Sequence, residues 1–242
     1  MSKRHYLEEI KSDDYPKPTI FAILFAVLVL IEITGVASNL LVLQISAKPL
    51  LMPTLMVYLF YSYTTVKNSR LLFVALFFSA LGDIFLLFEF IQPLFFVLGL
   101  ASFLITHIFY IIFFMRIRSP YRSFYVKQPW WLLLIYGYSF GLLILVYPNL
   151  GELEIPVVVY AIIISIMLML SLHIQTKVNH PANKYYLSGA ILFILSDSLL
   201  AINKFYSVFP LAGVWIIITY CSAQFLIVQG FVLHKTEIQY SN

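Results

Sequence analysis

The sequence predicts an all-α, polytopic membrane bundle of eight transmembrane helices, and three observations carry that prediction. The first is composition: of 242 residues, 62% are hydrophobic and 11% charged, against about 45–50% and about 25% in soluble globular domains. The second is a series of eight apolar runs, each near the roughly 20 residues that cross about 30 Å of hydrocarbon. The third is the placement of lysine and arginine. With the N-terminus in the cytoplasm, 13 of the 15 basic residues fall on the cytoplasmic side, and only Lys48 and Lys204 fall on the other. That asymmetry is what the positive-inside rule expects, and a miscounted span would scramble it. The net charge of +4 follows from the same bias and calls for no nucleic-acid partner.

Residues 1–17, MSKRHYLEEIKSDDYPK, mix both signs of charge and lack an apolar core followed by a small-residue cleavage site, so they are expected to be a retained cytoplasmic tail. Spans are expected near 18–38, 48–64, 71–89, 94–115, 130–147, 156–173, 185–203 and 210–233. Together they form one transmembrane domain, 18–233, followed by a cytoplasmic tail, 234–242. Pro53 near one end of the second span and Pro210 at the start of the eighth are tolerated where backbone groups can be satisfied locally. Lys48 opens the second span, with Pro49 in the first helical turn. The connections leave no room for a soluble domain. Cys221, the single cysteine, lies in an apolar run, so the chain offers neither an intrachain disulfide nor a thiolate cluster, and no metal or cofactor is expected.

Charge inside these runs is the informative exception. Asp83 in FFSALGDIFLLF and Asp197 in GAILFILSDSLLAINKF each lie about 12 residues into a span entered from the cytoplasm, roughly 18 Å deep at 1.5 Å per residue. An acid at mid-membrane costs roughly 2.5–3.5 kcal/mol on insertion scales and nearly always faces a bundle interior or hydrated cavity. Two at one depth point to a functional site more than to a helix clamp. Aligning them gives an offset of 114 residues that also pairs Leu81 with Leu195, Leu86 with Leu200 and Gly99 with Gly213, consistent with a parallel four-plus-four repeat. Other polar residues gather near that depth at one-turn spacing: Ser79 before Asp83, Tyr110 after His107, and Gln224 after Tyr220. Glu32 in the first span is a third intramembrane acid, with aliphatic neighbours. Lys48 and Lys204, snorkelling lysines on the ordinary reading, are alternatively two cations at the mouth of a cavity, suited to a lipid phosphate.

Five stretches, KPLLMP at 48–53, FSALGDIFLL at 78–87, GLASFLITHIFY at 99–110, FILSDSLLAINKF at 193–205 and TYCSAQFLI at 219–227, occur in an order that resembles the YhhN family of multi-pass membrane proteins, whose animal members include lysoplasmalogenases. The resemblance spans the second to eighth helices. It implies hydrolysis of the vinyl ether of a lysoplasmalogen to a fatty aldehyde and a glycerophospho-ethanolamine or -choline, with no cofactor. It points to Lys48, Pro49, Pro53, Gly82, Asp83, His107, Tyr110, Ser196, Asp197, Asn203, Tyr220 and Gln224. The expected roles are Asp83, Asp197, His107 and Tyr110 in catalysis, and Lys48, Asn203, Lys204, Tyr220, Gln224, Ser79 and Ser196 in binding substrate.

The chemistry needs one carboxyl group as proton donor to an alkene carbon and another as an anion that stabilises the oxocarbenium ion and orients water. Two close carboxylates resist ionising together, which suits that division. Either aspartate can take either part, and His107 or Tyr110 can relay a proton during hemiacetal collapse. The partners expected are a lysophospholipid or ether-lipid substrate and the bilayer itself, in a bacterial cytoplasmic membrane. A proton-coupled transporter of a small molecule or lipid is the rival that also uses buried acids in repeated halves. A zinc hydrolase would need several converging histidines, and only His107 is well inside a span.

Overall fold

Proline marks where many of the helices begin, because its missing N–H costs nothing in a first turn. A computed structural model describes residues 18–62, 69–117, 128–174 and 180–240. Within them run helices α1 (Pro18–Ala37), α2 (Leu41–Tyr61), α3 (Ser69–Leu87), α4 (Pro93–Ile117), α5 (Trp130–Val146), α6 (Glu154–His173), α7 (His180–Ala201) and α8 (Ala212–Tyr240), with no strand among the described residues. Pro18 and Pro93 open α1 and α4, Pro129 caps α5, and Pro181 is the second residue of α7. Among the described residues, eight helical segments are long and apolar enough to cross a membrane. The tail 1–17 and the basic residues Lys67, Arg118, Arg122, Lys127 and Lys177 lie outside the described residues.

The helices pair as four hairpins, α1–α2, α3–α4, α5–α6 and α7–α8, whose short tips sit at one end of the bundle. Contacts between tips fix this: Lys204 after α7 meets Glu89 after α3 at 3.2 Å, and a Cβ on Gly213 at the start of α8 would stand 2.7 Å from Val36 at the end of α1. The core runs through α2, α3, α4, α7 and α8, where Leu51, Leu55, Leu76, Phe113 and Phe193 are fully enclosed. In contrast, α5 is the least buried span, at 11% against 56% for α8. It is held by two hydroxyl pairs, Tyr138 donating to Ser198 Oγ and Ser139 Oγ against Ser165 Oγ, both at 2.8 Å.

Several boundaries differ from expectation. The chain reverses over only 38–40, with Asn39 in the left-handed region (φ 54°) that asparagine tolerates, so α2 begins at Leu41. Lys48 and Pro49 therefore sit about two turns inside the helix instead of opening it. The polar stretch HPANKYY is already helical, so α7 starts at His180 and not near 185. Past Ala201 the chain widens into a π-turn, Ile202–Tyr206, closed by Ser207 N donating to Ile202 O at 2.9 Å. Such turns recur at functional sites. At the other end of the fold, α8 continues past 233 to Tyr240.

Candidate active site

Asp83 and Asp197 hold the same station: each is four residues from the last residue of its α-helix, near the tip end of the bundle. Their surroundings are not the same. Asp197 lies in the wall of a partly open cleft, where about 770 Å³ is free of protein atoms when the open region at its mouth is counted. Helices α3 to α7 contribute its walls, including Leu86, Phe103, Leu142, Ile164 and Phe205, and the lining is almost wholly apolar. One face of the Asp197 carboxylate accepts a hydrogen bond from Tyr160 Oη at 2.7 Å on Oδ2. The same oxygen lies 3.6 Å from His107 Nε2. That is just beyond a direct hydrogen bond, so the two groups face each other without being joined.

His107 is fully enclosed, and neither ring nitrogen finds hydrogen-bond geometry among the described residues. Its ring is wedged edge-on between Phe193, at 4.6 Å, and Tyr160, at 5.3 Å. The imidazole is thus oriented by packing, with its polar edge toward Asp197. Tyr138 and Ser198, joined by their hydroxyls, stand on the same cleft wall.

Asp83 belongs to a closed network on the opposite side of Phe103 and Phe193. Tyr220 Oη donates to Asp83 Oδ2 at 2.9 Å. One turn on, Gln224 Nε2 donates to Ser79 Oγ at 2.8 Å while Gln224 Oε1 accepts from Tyr110 Oη at 2.5 Å. Ser79 Oγ lies 3.1 Å from Thr106 Oγ1, which also reaches the Ala75 carbonyl at 3.1 Å. All six side chains are buried and each makes at least one of these hydrogen bonds between helices, the condition under which such a cluster rigidifies a core. Gly82 makes the separation possible: a Cβ there would meet the Phe103 ring at 2.8 Å. Phe103 packs edge-on against Tyr220 at 5.6 Å and lines the cleft on its other side. Phe193 likewise touches both His107 and Tyr220.

These helices carry their signature in sequence as well. A model described as the YhhN family matches residues 43–231, more than three quarters of the chain. The chain belongs to the YhhN family. Two relatives are lysoplasmalogenase TMEM86A from Bos taurus, 30% identical over 179 residues covering 72% of this chain and 70% of the relative, and lysoplasmalogenase TMEM86A from Homo sapiens, 32% identical over 173 residues covering 70% and 68%. No solved structure matches significantly. With eight apolar helices, this YhhN protein is an integral multi-pass membrane protein.

The residues expected from sequence are distributed among several places. Ser79, Asp83, Tyr110, Tyr220 and Gln224 come together in the closed network, and Asp197 and His107 meet on the cleft side. The two aspartates do not share one pocket: Asp83 is not among the cleft-lining residues, because the two phenylalanine rings stand at the boundary. Lys48 and Lys204 do not converge on a common anion either. Lys48 Nζ lies 3.9 Å from Glu32 Oε1, and Lys204 Nζ lies 3.2 Å from Glu89 Oε2 and 4.6 Å above the cleft-lining ring of Phe96. Ser196 Oγ donates to the Ile216 carbonyl at 3.1 Å, tying α7 to α8. Asn203 sits in the π-turn with a buried Oδ1 that has no partner among the described residues. Tyr160 was not anticipated, since one tyrosine in the aliphatic run VVVYAIII reads as a packing residue. Its spacing to another polar group gives no signal. Among the described residues no three His, Cys, Asp or Glu side chains gather as a metal site.

Proposed function

We propose that this YhhN-family protein is a lysoplasmalogenase-like hydrolase that cleaves the vinyl ether of a lysoplasmalogen inside the membrane. The observation that carries the reading is Asp197: a carboxyl group, hydrogen-bonded to Tyr160 and facing His107, set in the wall of a largely apolar cleft. A single-chain ether lipid can leave its hydrocarbon among Leu142, Ile164 and their neighbours while its ether reaches the acid.

In this reading Asp197, as the neutral acid, gives its proton to the vinyl carbon remote from oxygen. The alkene electron pair forms the new C–H bond, and the positive charge moves to the oxocarbenium ion. Asp197, now an anion, stabilises that charge, and with His107 it removes a proton from the water that attacks the carbon beside oxygen. Collapse of the hemiacetal breaks the C–O bond and forms the aldehyde carbonyl, the hydroxyl proton being passed through Tyr160 or His107 to the departing glycerol oxygen. One water is consumed, and a fatty aldehyde and a glycerophospho-alcohol result. Asp83 supports the reaction from behind Phe103 through the network it shares with Tyr220, and Lys204 at the cleft rim meets the lipid phosphate. Lysine and arginine distribution supports cytoplasmic termini, which places the tip end and the cleft toward the outer leaflet.

The test is purified protein in detergent with a 1-alkenyl lysophospholipid, run in deuterated water and followed by mass spectrometry. Aldehyde carrying one deuterium on the carbon next to the carbonyl is the expected result. Absence of aldehyde from pure protein rules the hydrolase out and leaves a transporter, which needs two compartments to act.

A further inference from the structure

Moved along the chain by 114 residues, the offset between the two aspartates, the bounds of α1 to α4 become 132–151, 155–175, 183–201 and 207–231, beside those of α5, α6, α7 and α8. Tyr110 and Gln224 are also 114 residues apart and bond to each other, as equivalent positions do near an axis relating two halves. On this correspondence α1 and α5 are counterparts, and they are packed differently. The buried face of α1 carries Phe25, Leu28 and Glu32. It closes against α8, where Phe25 stacks on Phe225 at 6.1 Å. The matching positions of α5 are Ser139, Leu142 and Val146, and all three line the cleft, as do Leu100 and Phe103 of α4. The cleft therefore occupies the place where α5 would meet α4 as α1 meets α8.

The hold on α5 is uneven along its length. At the tip end Val146 and Leu150 are buried and pack with Val157 as a small cluster of their own. Further from the tips, the hydroxyl pairs Tyr138–Ser198 and Ser139–Ser165 tie the helix to α7 and α6. A Cβ on Gly137 or Gly141 would meet nothing within 4 Å among the described residues. Tyr138 is 47% exposed, so its bond to Ser198 lies at the outer seam between α5 and α7. Within a bilayer a helix gains little by exchanging acyl chains for apolar side chains, which leaves the hydroxyl bonds as the specific hold on this part of α5.

We propose that α5 is the moving wall of the cleft: it swings about its tip-end anchor, parts the two hydroxyl pairs to admit a single-chain lipid sideways from the bilayer, and re-forms them over the bound chain. The identity of that lipid rests on the functional reading above. One test uses turnover. In a Cys221→Ala background, Ser139→Cys/Ser165→Cys puts two thiols where hydroxyl oxygens lie 2.8 Å apart, within reach of a disulfide. Oxidation is expected to slow aldehyde release from a 1-alkenyl lysophospholipid by about tenfold or more, and reduction of the same sample to restore it. A cross-linked sample within about twofold of its reduced form overturns the proposal. The other test needs no turnover. In the same background, spin labels on Leu134→Cys and Phe77→Cys, exposed positions of α5 and α3, report the placement of α5. Ile20→Cys with Phe77→Cys does the same for α1, since Ile20 is the counterpart of Leu134. The α5 pair is expected to give a broad distance distribution that a non-cleavable alkyl-ether lysophospholipid narrows, while the α1 pair stays narrow throughout. Equal widths for the two pairs, unchanged by the lipid, overturn the proposal. A wild type that makes no aldehyde while the lipid still narrows the α5 pair defeats the hydrolase reading and leaves the moving wall standing.

Discussion

Asp83 and Asp197 are the same residue type at the same station of two neighbouring hairpins, yet one is sealed and the other faces open space. Asp83 is 2% exposed and hydrogen-bonded to Tyr220 within a network in which serine, threonine, glutamine and tyrosine satisfy one another. Asp197 has 16% of its side chain exposed and a loose histidine neighbour. The difference teaches that an expensive intramembrane acid can be retained for two reasons: to meet a substrate or to hold the helices that do so. Sequence depth alone treats the two alike. The cleft tells them apart.

The comparison is broken most directly by neutralising each acid. Asp197→Asn is expected to lower kcat by roughly 10²–10⁴-fold, the usual contribution of a general acid, with little change in melting temperature. An equal or larger loss from Asp83→Asn with Asp197→Asn near wild type reverses the assignment. Next in size is Tyr220→Phe, which leaves the Asp83 carboxyl without its donor. The unfolding free energy should fall by about 1–3 kcal/mol, measured by thermal or denaturant unfolding in detergent, while substrate affinity holds.

Gly82→Ala sharpens the boundary between the two acids. The new methyl would stand 2.8 Å from the Phe103 ring, which must move toward the cleft or toward Tyr220. A stability loss of about 1–3 kcal/mol is expected from overpacking, together with a raised KM if the ring intrudes on the lipid. Smallest is Lys204→Met. The exposed Lys204–Glu89 pair contributes only about 0–1 kcal/mol to stability, so melting should be unchanged while KM rises several-fold and kcat holds. A fall in kcat at constant KM would move Lys204 into the chemical step.

Much of this was legible in the sequence, and the reasons for the rest are physical. Eight spans follow from length and apolarity, and the one-turn pairs Ser79–Asp83 and Tyr220–Gln224 foretold one network, because i and i+4 share a helix face. Which face meets which helix was not legible. The spans are apolar on nearly every side, so the amphipathic stripe that orients a soluble helix is absent. Hence Asp83 and Asp197 were expected in one pocket, and the rings of Phe103 and Phe193 that divide them gave no signal. Tyr160 and Glu32 are single polar residues among aliphatics, whose partners Asp197 and Lys48 become neighbours only once helices pack. The π-turn at Ile202–Tyr206 leaves no mark in residue type.

The most direct measurement is an experimental structure of the protein with a non-cleavable alkyl-ether lysophospholipid. The ether should lie in the α3–α7 cleft, within about 3 Å of the Asp197 carboxylate or one water away, with Asp83 still bonded to Tyr220 behind Phe103. A lipid seated against Asp83 with the cleft unused would contradict the division of labour between the two acids.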